Sequence, residues 1–156
     1  MIEGQVVDSK LIIFRIEDEE YVLSIESVGS IEKVESITRV PGTADFVKGV
    51  INLRGIITPV IDLKQKFHQM DTEITEQSRI IIVHIDDMTV GLIVDEANNV
   101  IDINSNLIED TPEVINSQNM EYISGVINLN QRLLVLLDIK KILEEQALSV
   151  LQQMEE

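Results

Sequence analysis

The chain has 156 residues, a formal net charge of −16 and no cysteine. This acidity argues against nucleic acid and anionic lipid as partners, because phosphate binding requires clustered Lys and Arg, and the lack of cysteine excludes disulfides, zinc–thiolate sites and a cysteine nucleophile. Only 3% of the residues are aromatic, so 25 Ile and 17 Val must fill most of the interior, and this β-branched composition favours strands.

The N-terminal segment MIEGQVVDSK has neither the basic start nor the apolar run of a signal peptide. No apolar stretch of the sequence approaches the roughly 20 residues that span a bilayer. We therefore expect the chain to work in the cytoplasm.

Runs of Ile and Val between acidic or glycine-containing turns predict ten strands. Pro59 lies inside one apolar run, and because proline has no ladder donor we expect an edge strand or a bulge there. The polar segment 68–78 is interpreted as a link between two halves. The predicted strands lie near 10–16, 20–25, 34–40, 47–53, 56–62, 79–86, 89–95, 99–104, 123–129 and 132–138.

An amphipathic helix is predicted after the last strand, at about 139–154. Asp138 can cap its N-terminus, and apolar residues then recur at spacings of three and four. The helix is expected to dock across the rest of the fold, with a partner-binding helix as the alternative.

The sequence contains an internal repeat. Residues 46–67 align without a gap with 122–143, with seven of the twenty-two positions identical, including GVINL in both copies. A weaker pair, 10–25 and 79–94, precedes each copy. We interpret 1–156 as one domain with two similar small barrels around a shared core, with repeats at 10–67 and 79–143. Convergent β patterning is the alternative.

No catalytic constellation is present, and no metal or cofactor motif is found. His68 lies in the polar link and His84 on a predicted strand. Arg54 is the candidate functional residue, because it lies in N-L-R-G at a predicted turn and its repeat partner is Asn130, so the fold does not require the charge. The alternative is an ordinary surface arginine.

The segment FVKGVINLRGIITPVIDL, at 46–63, with ITRVP before it and VGLIVDEANNVIDI after it, resembles the CheW family over roughly residues 8–145. The resemblance implies an all-β fold of two SH3-like five-stranded barrels around a shared hydrophobic core. It also implies a non-enzymatic adaptor without a cofactor, coupling bacterial chemoreceptors to the histidine kinase CheA. The implied partners are the CheA regulatory domain, the cytoplasmic tips of the receptors, and other adaptor and kinase domains in rings beneath the inner membrane.

The resemblance also implies two kinds of contact surface. The receptor-binding residues would be Val28, Ser30, Gly49, Asn52, Leu53, Arg54 and Gly55. The kinase-binding residues would be Ile31, Ile37 and Val40 on one edge, and Glu109 and Val114 at the opposite, ring-closing contact.

One position departs from the family pattern. Many relatives carry a glutamate where this chain has Ser30, and that glutamate can pair with the arginine of NLRG. Glu32 or Glu26 could replace it, or Arg54 could be free to meet a receptor carboxylate. Three other functions stay open: a domain of a receiver fusion, a detached kinase regulatory domain, and, more distantly, a small-barrel enzyme acting through acidic residues.

Overall fold

A computed structural model of the chain describes residues 9–110 and 122–142. Eleven strands and the short helix α1 (Leu63–His68) are present in these residues, and residues 139–142 are also helical. The strands are β1 (Ser9–Ile16), β2 (Glu19–Ser24), β3 (Val28–Lys33), β4 (Val47–Leu53), β5 (Ile56–Asp62), β6 (Arg79–Ile85), β7 (Met88–Val94), β8 (Glu96–Ile103), β9 (Ile108–Glu109), β10 (Ile123–Leu129) and β11 (Arg132–Leu137).

Nine of the ten predicted strands are present, and the strand predicted at 34–40 is wrong. The strand of this region is β3, which ends at Lys33, and the segment after it has one isolated bridge, between Thr38 and Val50. The two residues exchange both backbone hydrogen bonds, at 2.9 and 2.8 Å. Tertiary contact with β4 therefore overrides the alternating pattern of the segment.

The strands form two sheets, and each sheet takes strands from both halves of the chain. One sheet has the order β8-β1-β2-β11-β10-β9, and the other has the order β3-β6-β7-β5-β4. The hairpin β1–β2 thus joins the second half, and the repeated hairpin β6–β7 joins the first half. The repeat predicts two similar units but not this exchange of hairpins.

Pro59 lies in β5, which has a neighbour on each side, so it is not on an edge strand, and the bulge in this ladder lies on β4, between Val47 and Gly49. Val50, opposite Pro59, turns its backbone N–H and C=O towards Thr38. The nitrogen of Pro59 therefore faces β7, and the parallel pairing with β7 begins only at Val60. No ladder hydrogen bond needs the missing donor at this position.

The main hydrophobic core lies between the two sheets and takes side chains from both, as the repeat predicts. β1 and β6 are apolar on both faces. Along each of these strands, every second residue faces the shared core, and the residues between them face the other side of their own sheet. On β1, Ile12 and Phe14 face the shared core, while Leu11 and Ile13 pack with Val22 on the other side.

Aspartates cap the helical segments that follow β5 and β11. Asp62 accepts hydrogen bonds from the backbone N–H groups of Lys64 and Gln65 at the start of α1, a capping arrangement typical of helix N-termini. Asp138 accepts one from the N–H of Lys141. The predicted C-terminal helix is helical over 139–142, and the rest of it lies outside the described residues.

Candidate interaction site

The candidate site is built on the tight turn between β4 and β5. Leu53 pairs with Ile56, so Arg54 and Gly55 alone form the turn. Both have positive φ, 52° and 87°, as a type I′ hairpin turn requires. The side-chain oxygen of Asn52 accepts a hydrogen bond of 2.7 Å from the N–H of Gly55 and fixes the turn.

Arg54 occupies a backbone position that suits asparagine or glycine better than arginine. The hairpin β10–β11 has Asn130 at the equivalent position, also with a φ of 52°. Asparagine tolerates this left-handed conformation because its short polar side chain can hydrogen-bond locally. The turn therefore gives no conformational reason for an arginine, which supports a role for its charge.

The guanidinium of Arg54 contacts Glu32 on the edge strand β3, at 3.3 Å. Of the two glutamates that the sequence offered in place of the family residue, Glu32 is the partner. The Arg54 side chain is nevertheless 71% exposed. One monodentate contact leaves other guanidinium donors available, and arginine can hold a second carboxylate in a bidentate arrangement.

Val28 and Ser30 lie on β3, on either side of a bulge. Val28 is half-buried and packs against the shared core. The hydroxyl oxygen of Ser30 is buried and has no hydrogen-bond partner among the described residues. Gly29 lies between them, under the ring of His84. A Cβ at this glycine would fall 2.2 Å from the ring nitrogen Nε2.

Gly49 is buried and lies at the other end of β4 from the turn. Its φ is +143°, and a Cβ there would fall 2.0 Å from the backbone oxygen of Thr38. The repeat partner Gly125 allows a similar approach, with the backbone oxygen of Glu109 at 2.7 Å from its added Cβ. The repeated glycine thus has a structural reason, and we leave Gly49 out of the contact surface.

Two exposed apolar residues follow the turn and were not predicted as part of the site. Ile56 and Ile57 are 65% and 66% exposed, and Ile57 pairs with Asn52. Val60 on β5 pairs with Gly91 on β7. Three residues earlier on both strands, the same register places Ile57 beside Met88. Two consecutive isoleucines directly after a turn were the available signal, because strand alternation can bury only one of them.

Two of the predicted kinase-binding residues, Ile31 and Glu109, lie on edge strands, one in each sheet. Ile31 is on the edge strand β3 and is 37% exposed, whereas Ile37 packs inwards against the interior of the same sheet. Val40 is half-buried. Glu109 is exposed on the edge strand β9 of the other sheet, and Val114 lies outside the described residues.

Two open clefts flank these residues, and both are lined by polar and apolar side chains. One of about 300 Å³ lies between β3 and β4 and is lined in part by Glu32, Asn52 and Leu53. The other, of about 650 Å³, includes Val40 and Lys48. Beside Lys48, hydrogen bonds from that lysine and from Gln65 lower the pKa of Asp71.

In the part of the chain that the structure describes, no group of three His, Cys, Asp or Glu side chains is arranged to hold a metal ion. No helix there combines the length and the apolar character needed to cross a bilayer.

Comparison with known proteins identifies the family. The family model for the CheW-like domain matches residues 10–147. The chain belongs to the CheW family. This confirms the resemblance that the N-L-R-G segment and its flanks predicted.

The relatives cover most of the chain. The chemotaxis protein CheW of Bacillus subtilis (strain 168) is 41% identical over 138 residues, which are 88% of this chain and 88% of that protein. The CheW of Thermotoga maritima is 31% identical over 132 residues, 85% of each chain. The crystal structure of the scaffolding protein TtCheW from Thermoanaerobacter tengcongensis matches with a TM-score of 0.77 at 36% identity, covering 88% of both chains.

These matches confirm the all-β fold class and a scaffold role in chemotaxis.

Proposed function

We propose that the chain is a non-enzymatic adaptor that couples methyl-accepting chemoreceptors to the histidine kinase CheA. The observation that carries the proposal is Arg54, a largely exposed arginine held by a rigid turn whose conformation does not favour it. Membership of the CheW family supports the same function. We place the protein in the cytoplasm, recruited to receptor arrays beneath the inner membrane.

The receptor-facing surface in this proposal is centred on the turn Asn52–Gly55 and reaches across to β3. Arg54 would supply the charge, Ile57 would supply exposed apolar area after the turn, and Val28 would extend the surface along β3. Arginine is enriched among the residues that dominate binding energy at interfaces. Ser30 and Leu53 would shape the surface from β3 and from the cleft between β3 and β4.

The kinase-facing surfaces in this proposal are sheet edges. Ile31, with Ile37 and Val40 behind it, would meet the CheA regulatory domain at the edge of one sheet. Glu109, on an edge strand of the other sheet, would form the second contact together with Val114, which would allow rings of alternating adaptor and kinase domains. Interfaces that are individually weak gain strength when they repeat in such an array.

The mechanism is differential binding. An adaptor transmits a signal only if its contacts differ in free energy between the two signalling arrangements of its partners. The Glu32–Arg54 pair provides one such contact, because a receptor carboxylate would compete with Glu32 for the guanidinium.

The test is the affinity of the Arg54→Ala variant for a receptor tip fragment, measured by titration calorimetry. We expect the affinity to fall about tenfold, as for a contact that dominates an interface. Arg132→Ala is the matched control, because Arg132 is also an exposed arginine paired with a glutamate, Glu20, but on the other sheet. Equal affinity of parent and Arg54→Ala, with the fold intact, would remove Arg54 from the receptor site.

A further inference from the structure

Because the two halves exchange hairpins, the link between them affects whether the halves of one chain or of two chains pair. Residues 9–68 and 79–142 each contribute strands to both sheets, and the segment 69–78 joins them. In such an arrangement the same contacts can form within one chain or between the halves of two chains, which is the condition for domain swapping.

The link is fastened to the fold by a buried carboxylate. Asp62 is fully buried, and its two carboxylate oxygens accept hydrogen bonds from the backbone N–H of Thr72, at 2.8 Å, and from the hydroxyl of Thr72, at 2.7 Å. The ammonium group of Lys48 lies 3.7 Å from the same carboxylate and also contacts Asp71. Thr72 is itself buried, so the middle of the link is held against the first half.

A second fastening holds the end of the link. The backbone N–H of Thr75 donates to the hydroxyl of Ser78 at 2.8 Å, and the N–H of Ser78 donates back to the carbonyl of Thr75. Ser78 is buried directly before β6. The link is therefore a defined path that returns the chain to the start of β6, not a loose tether.

Comparison of the two repeat copies distinguishes the contact of Asp62 with Thr72 from helix capping. Asp138 is the repeat counterpart of Asp62 and accepts a hydrogen bond from the N–H of Lys141 at 3.1 Å. Asp62 also caps its helix, but among the described contacts it alone adds the two hydrogen bonds from a distant segment. The extra role of Asp62 is therefore to hold Thr72.

We propose that the Asp62–Thr72 contact is a latch that keeps both exchanged halves within one chain, and that a second copy of this chain is the partner when the latch opens. With the latch closed, the halves of one chain meet at a high effective concentration and the monomer is favoured. Without it, the link can extend, and two copies can build the same pair of sheets from each other's halves.

The test uses a disulfide to report which chains share a sheet. Lys10 on β1 and Asp102 on β8 are register partners from different halves, and both are exposed. The parent has no cysteine, so Lys10→Cys with Asp102→Cys creates one possible bond, within a chain in the monomer and between chains in a swapped dimer. This background is combined with Asp62→Asn, Thr72→Val or Asp138→Asn, refolded from urea at low and high protein concentration, and oxidised.

The latch variants are expected to raise the dimerisation constant about a hundredfold, because one swapped dimer opens two latches and each lost buried hydrogen bond corresponds to a factor of about ten, with disulfides between chains on a non-reducing gel. The parent and Asp138→Asn are expected to remain monomers with the bond inside the chain. Monomeric latch variants, dimers without interchain disulfides, or equal dimerisation of Asp138→Asn would overturn the proposal. Thr72→Val retains the cap of α1, so it decides the question if Asp62→Asn does not fold.

Discussion

At the scale of single residues, this protein separates the positions that the backbone needs from those that it does not. Gly49, Gly29 and Gly125 each lie where a Cβ would collide with a neighbouring group. Arg54 is the opposite case, since its turn would accept asparagine, as at Asn130. Repeat comparison makes this distinction visible in the sequence, because a residue shared by both copies tends to serve the fold.

Gly49→Ala should destabilise the protein by about 2–3 kcal/mol, because a methyl group meets the Thr38 carbonyl and the backbone is held at positive φ. Gly42→Ala is the control, since Gly42 also has positive φ, +81°, but has open space around its Cβ position. Urea unfolding of both variants checks this. If the free energy of unfolding falls no more for Gly49→Ala than for Gly42→Ala, the close approach of Thr38 carries no cost.

The ion pair of Glu20 and Arg132 predicts a pH dependence of stability. The hydrogen bond from Arg132 lowers the pKa of Glu20 in the folded protein. A carboxylate with a lowered folded pKa stabilises above its unfolded pKa, about 4.3, and this contribution is lost as the pH falls through the folded pKa. Arg132→Ala should therefore be less stable than the parent at about pH 7, and the difference should shrink at about pH 3, which lies below the unfolded pKa.

Urea unfolding at both pH values measures this difference. Arg79→Ala is the control, because the guanidinium of Arg79 donates to the backbone carbonyls of Glu76 and Ser78, which do not titrate. A difference between Arg132→Ala and the parent that persists unchanged at the lower pH would contradict the assignment.

At the scale of elements, strands bounded by clear turns were predictable and their partners were not. The hairpins β1–β2 and β6–β7 stand out because runs of Ile and Val flank acidic turns. The prediction failed at 34–40, where the alternating pattern continues past Lys33 but the chain leaves the sheet to bridge Val50. Helix α1 was missed because six residues are too few to show a helical period.

The candidate site was predictable only in those parts that depend on local sequence. The turn at Arg54 is local in sequence, so its motif located it. The contact between Arg54 and Glu32 depends on how β3 meets the β4–β5 turn, and local pattern left Glu32 and Glu26 as equal choices. Ile57 was missed because its exposure depends on where β5 emerges from the shared core.

The edge strands offer a test of the proposed kinase surface. Ile31→Asp should weaken binding to the CheA regulatory domain about tenfold, because it places a charge in an apolar contact. Val100→Asp is the matched control: Val100 lies opposite Ile12 on the edge strand of the other sheet, as Ile31 lies opposite Ile81, and it is also exposed. Titration calorimetry compares the two, and an equal loss for Val100→Asp would show that Ile31 has no special role.

At the scale of the whole molecule, two similar sheets around one core carry different surfaces. The exchange of hairpins ties both halves to the shared core, so that the sheets are held together by packing as well as by the link. The two repeat copies thus differ at their turns and edges, with Arg54 on one sheet and Asn130 on the other. A scaffold protein needs this combination of a rigid core and distinct contact surfaces.

The most direct test is a titration of the CheA regulatory domain with this protein, followed by addition of a receptor tip fragment to the complex. We predict that the protein binds the regulatory domain and that the complex still takes up the receptor fragment, because the two surfaces use separate residues. Absence of binding to the regulatory domain, or its displacement by the receptor fragment, would contradict the account.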